Sequence, residues 1–396
     1  MRVLVATSTF PLREGDGTPR FVQDLCGALA AHCDVRVLAP HAPGAARAEE
    51  LGGLRVTRFP YFVPRGAQRL AYGAGMPDNL RSSWLAKLQA PGYLLAQARA
   101  VRRLCARESV DVVNSHWIVP TGLATAMARG RGARFRHVVT LHGGDAHLLA
   151  NLPGGPALAR WVVERSDALI AVSSKIRDAL DATLGRPSGA VVQPVGVDTG
   201  RFREGPAAAS PFPDGYLLFV GRLIRIKGVD VLLRALARVR EAHPGVGLVV
   251  VGDGPEREPL AGLARELGQE AAVRFPGAQS HDEVAAWLRG CRAAVVPSVV
   301  DADGREEGMP AIVAEALAAG ARVVASATGG IPDVLRDAEN GWLARPGDAQ
   351  DLATRVQEAL ALPRPSALDA QAAETASELD WSRVALAYRS LFEPVT

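Results

Sequence analysis

Short runs of apolar residues recur along this chain, each followed by a segment whose apolar positions return every three or four residues. Val3 to Ala6, Val35 to Ala39, Val110 to Asn114, Val138 to Leu141 and Ala168 to Val172 are such runs and predict strands. Helical patterns such as Arg20 to Ala31 and Gly122 to Arg129 lie between some of them. A strand that is apolar at nearly every position must be covered on both faces, as in a parallel sheet between helices. The rhythm then starts again. Tyr216 to Val220, Gly247 to Val251, Ala293 to Val296 and Ala321 to Ala325 predict further strands. They alternate with helices near Val229 to Glu241, Glu256 to Leu267, Asp282 to Arg289 and Ala311 to Ala319.

Two such series predict an α/β protein with two Rossmann-like, doubly wound parallel-sheet domains. Pro194-Val-Gly-Val-Asp198 breaks the regularity and marks the join, so the expected domains are 1–196 and 197–378. Residues 379–396 hold the amphipathic stretch Trp381 to Phe392, expected to be a helix that crosses back to the first domain. Ligands of such sheets bind beyond the carboxyl ends of the strands, so a cleft between the domains is the expected site.

Composition narrows the class. The 396 residues exceed one core, and 48% hydrophobic with 22% charged residues is ordinary for a soluble protein. A net charge of +3, with no basic tail or zinc-finger spacing, argues against nucleic acid as a partner. Cys26, Cys33, Cys105 and Cys291 show no metal-ligand spacing and read as reduced thiols. The run Met1 to Ala6 is too short for a signal peptide, and no stretch approaches the roughly 18 apolar residues of a spanning helix. A cytoplasmic protein is expected, with any membrane contact peripheral and at the inner face. One segment invites that contact. Tyr61 to Arg107 sets Arg65, Arg69, Arg81, Lys87, Arg99, Arg102, Arg103 and Arg107 against a single acid, Asp78, among many aromatic and leucine residues. A basic amphipathic helix there suits a membrane surface or a lipid-phosphate acceptor; the alternative is a solvated face over an ordinary core.

Candidate chemistry lies mostly in the second half. Phe219-Val-Gly-Arg-Leu-Ile-Arg-Ile-Lys-Gly228 follows a strand and opens a helix. Cations at a helix start oppose its dipole unless an anion intervenes, so Arg222 and Lys227 read as the flanks of a diphosphate. The only other lysines are Lys87 and Lys175 in a chain that otherwise uses arginine, which singles out Lys227. Val251-Gly-Asp-Gly-Pro-Glu256 lacks the third glycine of a dinucleotide fingerprint, so Gly254 reads as part of a tight turn near a nucleotide. In Glu307-Gly-Met-Pro-Ala-Ile-Val-Ala-Glu315, Pro310 suits a first helical turn. Two carboxylates flanking helix N–H groups can hold a sugar and a ribose with phosphate between them. Gly308, Met309 and Pro310 belong to that segment, and Ser298, ending another strand, is expected at the nucleotide. Glu315 lies inside the apolar run Ala311 to Ala319, where an unpaired buried carboxylate is costly.

The glycine-arginine before lysine-glycine, the glycine-aspartate-glycine-proline turn and two glutamates seven residues apart occur in that order. Together they resemble the large retaining glycosyltransferase family of the GT-B fold, typified by bacterial mannosyl- and N-acetylglucosaminyltransferases. The resemblance covers nearly the whole chain. It implies transfer from a nucleotide-diphosphate sugar, with UDP the expected base and GDP the main alternative. The acceptor is expected to be a sugar, a lipid-linked saccharide of a cell-surface polysaccharide pathway, or a natural product. It also implies retention at the anomeric carbon without a metal or other cofactor. Arg222 and Lys227 would hold the diphosphate, Glu307 the donor sugar and Glu315 the ribose; Glu306 does not keep the seven-residue interval. In the first half, Phe10-Pro-Leu-Arg-Glu-Gly-Asp-Gly17 resembles the family's glycine-rich loop, with Gly15 or Gly17 near the pyrophosphate. Thr140-Leu-His-Gly-Gly-Asp145 matches the loop of its catalytic histidine, His142. His116, Trp117 and Asp145 read as acceptor-side, and Gly329-Gly330-Ile-Pro332 as a loop near the donor. Asp301-Ala-Asp303 resembles a metal pair but reads as a solvated loop. An epimerase or phosphorylase on the same fold, and more distantly an NAD-dependent oxidoreductase, are the rival activities.

Overall fold

A computed structural model describes residues 1–396 except 14, 17, 74, 131–133, 144–147, 150–151, 302–303, 305 and 395–396. Two compact units divide it: Met1–Gln193 with Ser382–Thr396, and Pro194–Trp381.

The first unit is a sheet of β1 (Arg2–Ala6), β2 (Asp34–Pro40), β3 (Ala48–Leu51), β4 (Leu54–Phe59), β5 (Val112–His116), β6 (Arg136–Leu141), β7 (Ala168–Ala171) and β8 (Val191–Val192). Its order is β3-β4-β2-β1-β5-β6-β7-β8, and only β3 runs antiparallel. The winding reverses between β1 and β5, the point of such a sheet beyond whose strand carboxyl ends ligands bind. The edge strand β3 and its neighbour β4 escaped the sequence pattern because they carry charged residues such as Glu49, Glu50 and Arg55, which strands near a sheet edge tolerate. Strand β5 was expected at Val110 to Asn114 but runs to His116. Its last residues are polar yet buried, because neighbours satisfy them: Asn114 Nδ2 donates to Thr140 Oγ1 at 3.0 Å, and Ser115 Oγ to Thr125 Oγ1 at 2.8 Å.

The helix Trp381–Phe392 buries Val384, Ala385, Tyr388 and Phe392, and Arg136 Nε donates to Leu391 O at 3.4 Å. Between β4 and β5 runs the helix Trp84–Glu108, 25 residues long. Its inner face presents Ala86, Gln89, Tyr93, Gln97 and Val101 at helical spacing, all buried. Trp84, Leu88, Pro91 and Leu95 fall on the opposite side, where Trp84 is 76% and Leu88 61% exposed. No helix among the described residues is long and apolar enough to cross a membrane.

The second unit is a wholly parallel sheet of β9 (Tyr216–Val220), β10 (Gly247–Val251), β11 (Val273–Gly277), β12 (Ala293–Val296), β13 (Val323–Ser326) and β14 (Trp342–Ala344). The order β11-β10-β9-β12-β13-β14 reverses its winding between β9 and β12. Tyr216, Leu218, Val249 and Val251 enter the core on one face; Leu217, Phe219, Leu248 and Val250 enter the core on the other. That double burial is why these strands are legible as unbroken apolar runs. At the start of the unit Val197 N donates to Leu379 O at 2.9 Å, and Trp381 N to Val197 O at 3.0 Å. A Cβ on Gly196 would lie 2.4 Å from the Trp381 ring, so only glycine fits this stitch.

Candidate active site

In the second unit the loop after β9 is built by close backbone packing. Gly221 N donates to Val251 O at 3.0 Å, and Leu223 N to Asp253 O at 2.9 Å, locking it to the loop after β10. Gly254 packs over Leu223 O, where a Cβ would meet the oxygen at 2.4 Å. Gly228 has φ +63°, and a Cβ there would lie 2.0 Å from Pro297 O. Glycine alone tolerates both that conformation and that approach. Val299 N donates to Ile226 O at 2.9 Å, so the segment holding Lys227 is fastened beside Ser298 at the switch point.

Lys227 Nζ lies 2.9 Å from Glu307 Oε1, with the two side chains 18% and 14% exposed. This brings together the lysine of one sequence motif and the first glutamate of another. Glu306 turns away from that pair. Its Oε2 accepts from Thr328 Oγ1 at 2.7 Å and from Gly329 N at 3.0 Å. The two adjacent glutamates therefore do different work, one meeting the cation and the other tying the segment to the loop after β13. Gly329 has φ +59° and lies against Glu307 O. Arg222 is exposed and makes no ion pair among the described residues. The Ser298 hydroxyl is buried with no hydrogen-bonding partner among the described residues, which leaves one polar group at this edge for a ligand. Gly308 and Met309 are half-buried.

The helix starts at Ala311, as its apolar run predicts, with Pro310 as its N-cap (ψ 117°) one place before the expected first turn, so Glu307 lies ahead of the helix. One detail differs from the sequence reading. Glu315 is half-buried and not buried: it shares the less buried stripe with Ile312 and Ala319, while Val313, Ala314, Ala316 and Leu317 are buried in the core. An apolar run conceals that stripe, because alanine is apolar on either side of a helix.

In the first unit the loop after β1 is stapled by Asp16. Its Oδ1 accepts from Thr18 N at 2.8 Å, and its other oxygen takes Leu12 N. Burial alone raises the Asp16 carboxyl, but N–H donation from Leu12 and Thr18 outweighs it and holds the group below the usual range. Gly15 has φ +72° and open space where a Cβ would point. Gly17 lies outside the described residues, as do Gly144 and Asp145 of the histidine loop. Arg58, 1% exposed, donates to Pro11 O, Glu49 and Tyr72 OH and so pins the base of the same loop. Neither Asp16 nor Arg58 stood out in the sequence; an aspartate between glycines was the available signal for the first.

His142 follows β6 and is enclosed by aromatic rings. Trp117 lies 4.7 Å away, Phe21 5.0 Å and His116 5.3 Å, the last stacked at 20°. Trp117 holds φ +67°, a strained conformation for a bulky residue. His116, read as acceptor-side, is only 1% exposed, with Nδ1 3.0 Å from His142 Nε2. Burial pushes His116 down to about 3; burial and then His116 push His142 well below the usual histidine range. Both imidazoles are neutral at physiological pH, so His142 can donate or accept a hydrogen bond but carries no charge.

These two switch-point sites on Rossmann-like sheets define a glycosyl-transferring enzyme of the GT-B fold. Residues 206–378 match the family described as Glycosyl transferases group 1, and residues 15–201 match Glycosyltransferase Family 4. The chain is 34% identical over 337 residues to D-inositol 3-phosphate glycosyltransferase of Actinosynnema mirum, a match covering 76% of this chain and 77% of that one. It is 28% identical over 374 residues to the GDP-mannose-dependent alpha-(1-6)-phosphatidylinositol monomannoside mannosyltransferase of Mycolicibacterium smegmatis, covering 92% and 91%. Sucrose-phosphate synthase from Thermosynechococcus elongatus superposes with a TM-score of 0.77 at 23% identity, covering 99% of both chains. The chain belongs to the group 1 glycosyltransferases.

Proposed function

We propose that this enzyme moves a hexose from a nucleotide-diphosphate sugar to an acceptor hydroxyl, with retention at the anomeric carbon and without a metal ion. The observation that carries the reading is the Lys227–Glu307 pair at 2.9 Å. It sets a cation suited to phosphate oxygens beside a carboxylate suited to sugar hydroxyls. Arg222 adds a second cation, Ser298 an unpartnered hydroxyl, and Glu315 a carboxylate for the ribose. As the bond from the anomeric carbon to phosphate breaks, charge grows on the departing oxygen. Fixed cations meet that charge without reorganising, commonly the largest catalytic contribution. The acceptor oxygen bonds to the anomeric carbon on the leaving-group face and passes its proton to the departing phosphate. A neutral His142 supplies a hydrogen bond to a substrate oxygen.

UDP is the first base to test. GDP is the second reading, favoured by the 28%-identical relative whose name specifies GDP-mannose. Thermal unfolding with UDP, GDP and NAD, then incubation with UDP-glucose or GDP-mannose, tests both. One nucleoside diphosphate should raise Tm, and its sugar should be consumed with release of that nucleotide. Stabilisation by NAD alone, or epimerisation of the sugar with no nucleotide released, would replace the proposal with one of its rivals.

For the acceptor we propose a lipid-linked saccharide, reached by a cytoplasmic enzyme lying at the inner membrane face. Trp84, Leu88, Pro91 and Leu95 form one exposed apolar line opposite the helix's buried face. Exposed Lys87, Arg99, Arg102 and Arg103 flank it without ion pairs among the described residues. Apolar insertion plus cationic attraction is the chemistry of an anionic membrane surface. The protein should sediment with vesicles containing phosphatidylglycerol and not with phosphatidylcholine alone. Trp84→Ser with Leu88→Ser should lower vesicle binding at least about tenfold, since each large apolar side chain buried is worth about 1.5–3 kcal/mol. Equal sedimentation of both proteins would assign the line to a soluble setting.

A further inference from the structure

His116 carries a buried ring nitrogen without a partner beside His142. His116 Nε2 is enclosed and has no hydrogen-bonding partner among the protein's described residues. The ring's other nitrogen, Nδ1, lies 3.0 Å from His142 Nε2. Neighbouring donors are paired: His137 Nε2 lies 3.1 Å from Ser115 Oγ, whose hydroxyl donates to Thr125, and Asn114 Nδ2 donates to Thr140 Oγ1 at 3.0 Å, while Asn114 Oδ1 is left, as an acceptor only, without a partner among the described residues. Trp117 and Phe21 pack on the His142 ring and restrict its turning.

A single proton occupies the line between the two imidazoles. If His142 donated it, the proton of neutral His116 would have to sit on Nε2, making a buried N–H with nothing to receive it. Folded proteins rarely leave such a donor unpaired. If His116 donates from Nδ1, what remains at Nε2 is an unused lone pair, the cheaper of the two deficits. We infer that His116 is a positioning residue: it donates Nδ1–H to His142 Nε2 and thereby holds His142 in the tautomer protonated at Nδ1. With Nδ1 protonated and the Nε2 lone pair taken by His116, His142 is not a general base. This rests on the reading of His142 as part of the glycosyl-transfer site, and it gives His116 a role different from contact with the acceptor. It also accounts for two buried histidines in contact at the edge of a sheet, where apolar residues would otherwise be expected.

Long-range proton–nitrogen NMR of the full chain labelled with 15N-histidine, free of substrate, reads the tautomer directly. His142, assigned by loss of its signals in His142→Ala, should show a protonated Nδ1 and an unprotonated Nε2; a protonated Nε2 overturns the inference. His116→Asn keeps an N–H donor near the Nδ1 position and should retain kcat within about threefold, whereas His116→Leu should lose about tenfold or more, as supporting hydrogen bonds commonly do. Equal rates for folded Leu and Asn variants also overturn it. Should the Leu variant fail to fold, the spectrum and the Asn variant decide. The spectrum needs no substrate, so an absence of glycosyl transfer would sink the proposed function while leaving the tautomer to stand or fall by itself.

Discussion

Lys227→Ala should lower kcat/KM by about 100- to 1000-fold, the range seen when one preorganised stabiliser of a developing oxyanion is removed. The physical case is the geometry around its ammonium. Its stem lies over Gly221, where a Cβ would stand 3.7 Å from Lys227 Cε, and its head meets Glu307. The lysine is thus aimed before any ligand arrives. The alanine variant loses a cation at the phosphate and leaves the Glu307 carboxylate without that partner. Both side chains keep some solvent access, so the folding cost should be about 1 kcal/mol or less. Turnover should collapse while Tm moves little. Lys227→Arg, which keeps the charge with a different shape, should fall between the two. Glu307→Gln in the Lys227→Ala background should cost less than it does alone, because contacting residues do not add. An alanine variant with half the wild-type kcat/KM would remove Lys227 from the chemistry.

Gly329→Ala should be among the most damaging conservative changes in the second unit. Its Cβ would lie 1.9 Å from Glu307 O, and φ is +59°. The left-handed conformation alone costs a non-glycine residue about 1–2 kcal/mol. The contact adds to it, because the opposing atom is a backbone carbonyl and cannot swing aside as a side-chain tip can. Either the loop after β13 or the Glu307 segment must shift, and Glu306 ties the two together through Thr328 and Gly329. A total of about 2–4 kcal/mol is expected, with a loss of donor affinity alongside it. Gly347→Ala is the control. It has φ +77° with nothing within 4 Å of the added Cβ, so it should show the conformational cost alone and leave donor binding intact. Equal Tm losses for the two variants would mean that the Glu307 contact is not built as described.

Much of this was legible without coordinates. The central strands of both sheets could be read because parallel strands covered on both faces must be apolar throughout, and Tyr216 to Val220 and Gly247 to Val251 match their observed bounds. The edge strand β3 and its neighbour β4 were not legible because they carry charge, and the edge strand β8 because it is only two residues long. Strand β5 ran two residues further than its apolar run, because Ser115 and His116 are buried by hydrogen bonds that no periodicity records.

The sequence motifs also singled out Lys227 in a loop after one strand and Glu307 before a distant helix, each within its own motif. They did not say that the two residues touch. Contact between residues 80 positions apart depends on β9 and β12 lying side by side, which follows from the winding of the sheet. Likewise the sequence singled out His116 and His142 separately, while their alignment at 3.0 Å comes from the parallel register of β5 and β6. Which glutamate of the Glu306-Glu307 pair turns to the lysine, which face of its helix carries Glu315, and which imidazole nitrogen is left without a partner were decided by packing. Local pattern determines the elements and the residue types at their ends, because those depend on burial and backbone preference. Pairing, orientation and protonation depend on neighbours from other elements, and only the folded chain supplies them.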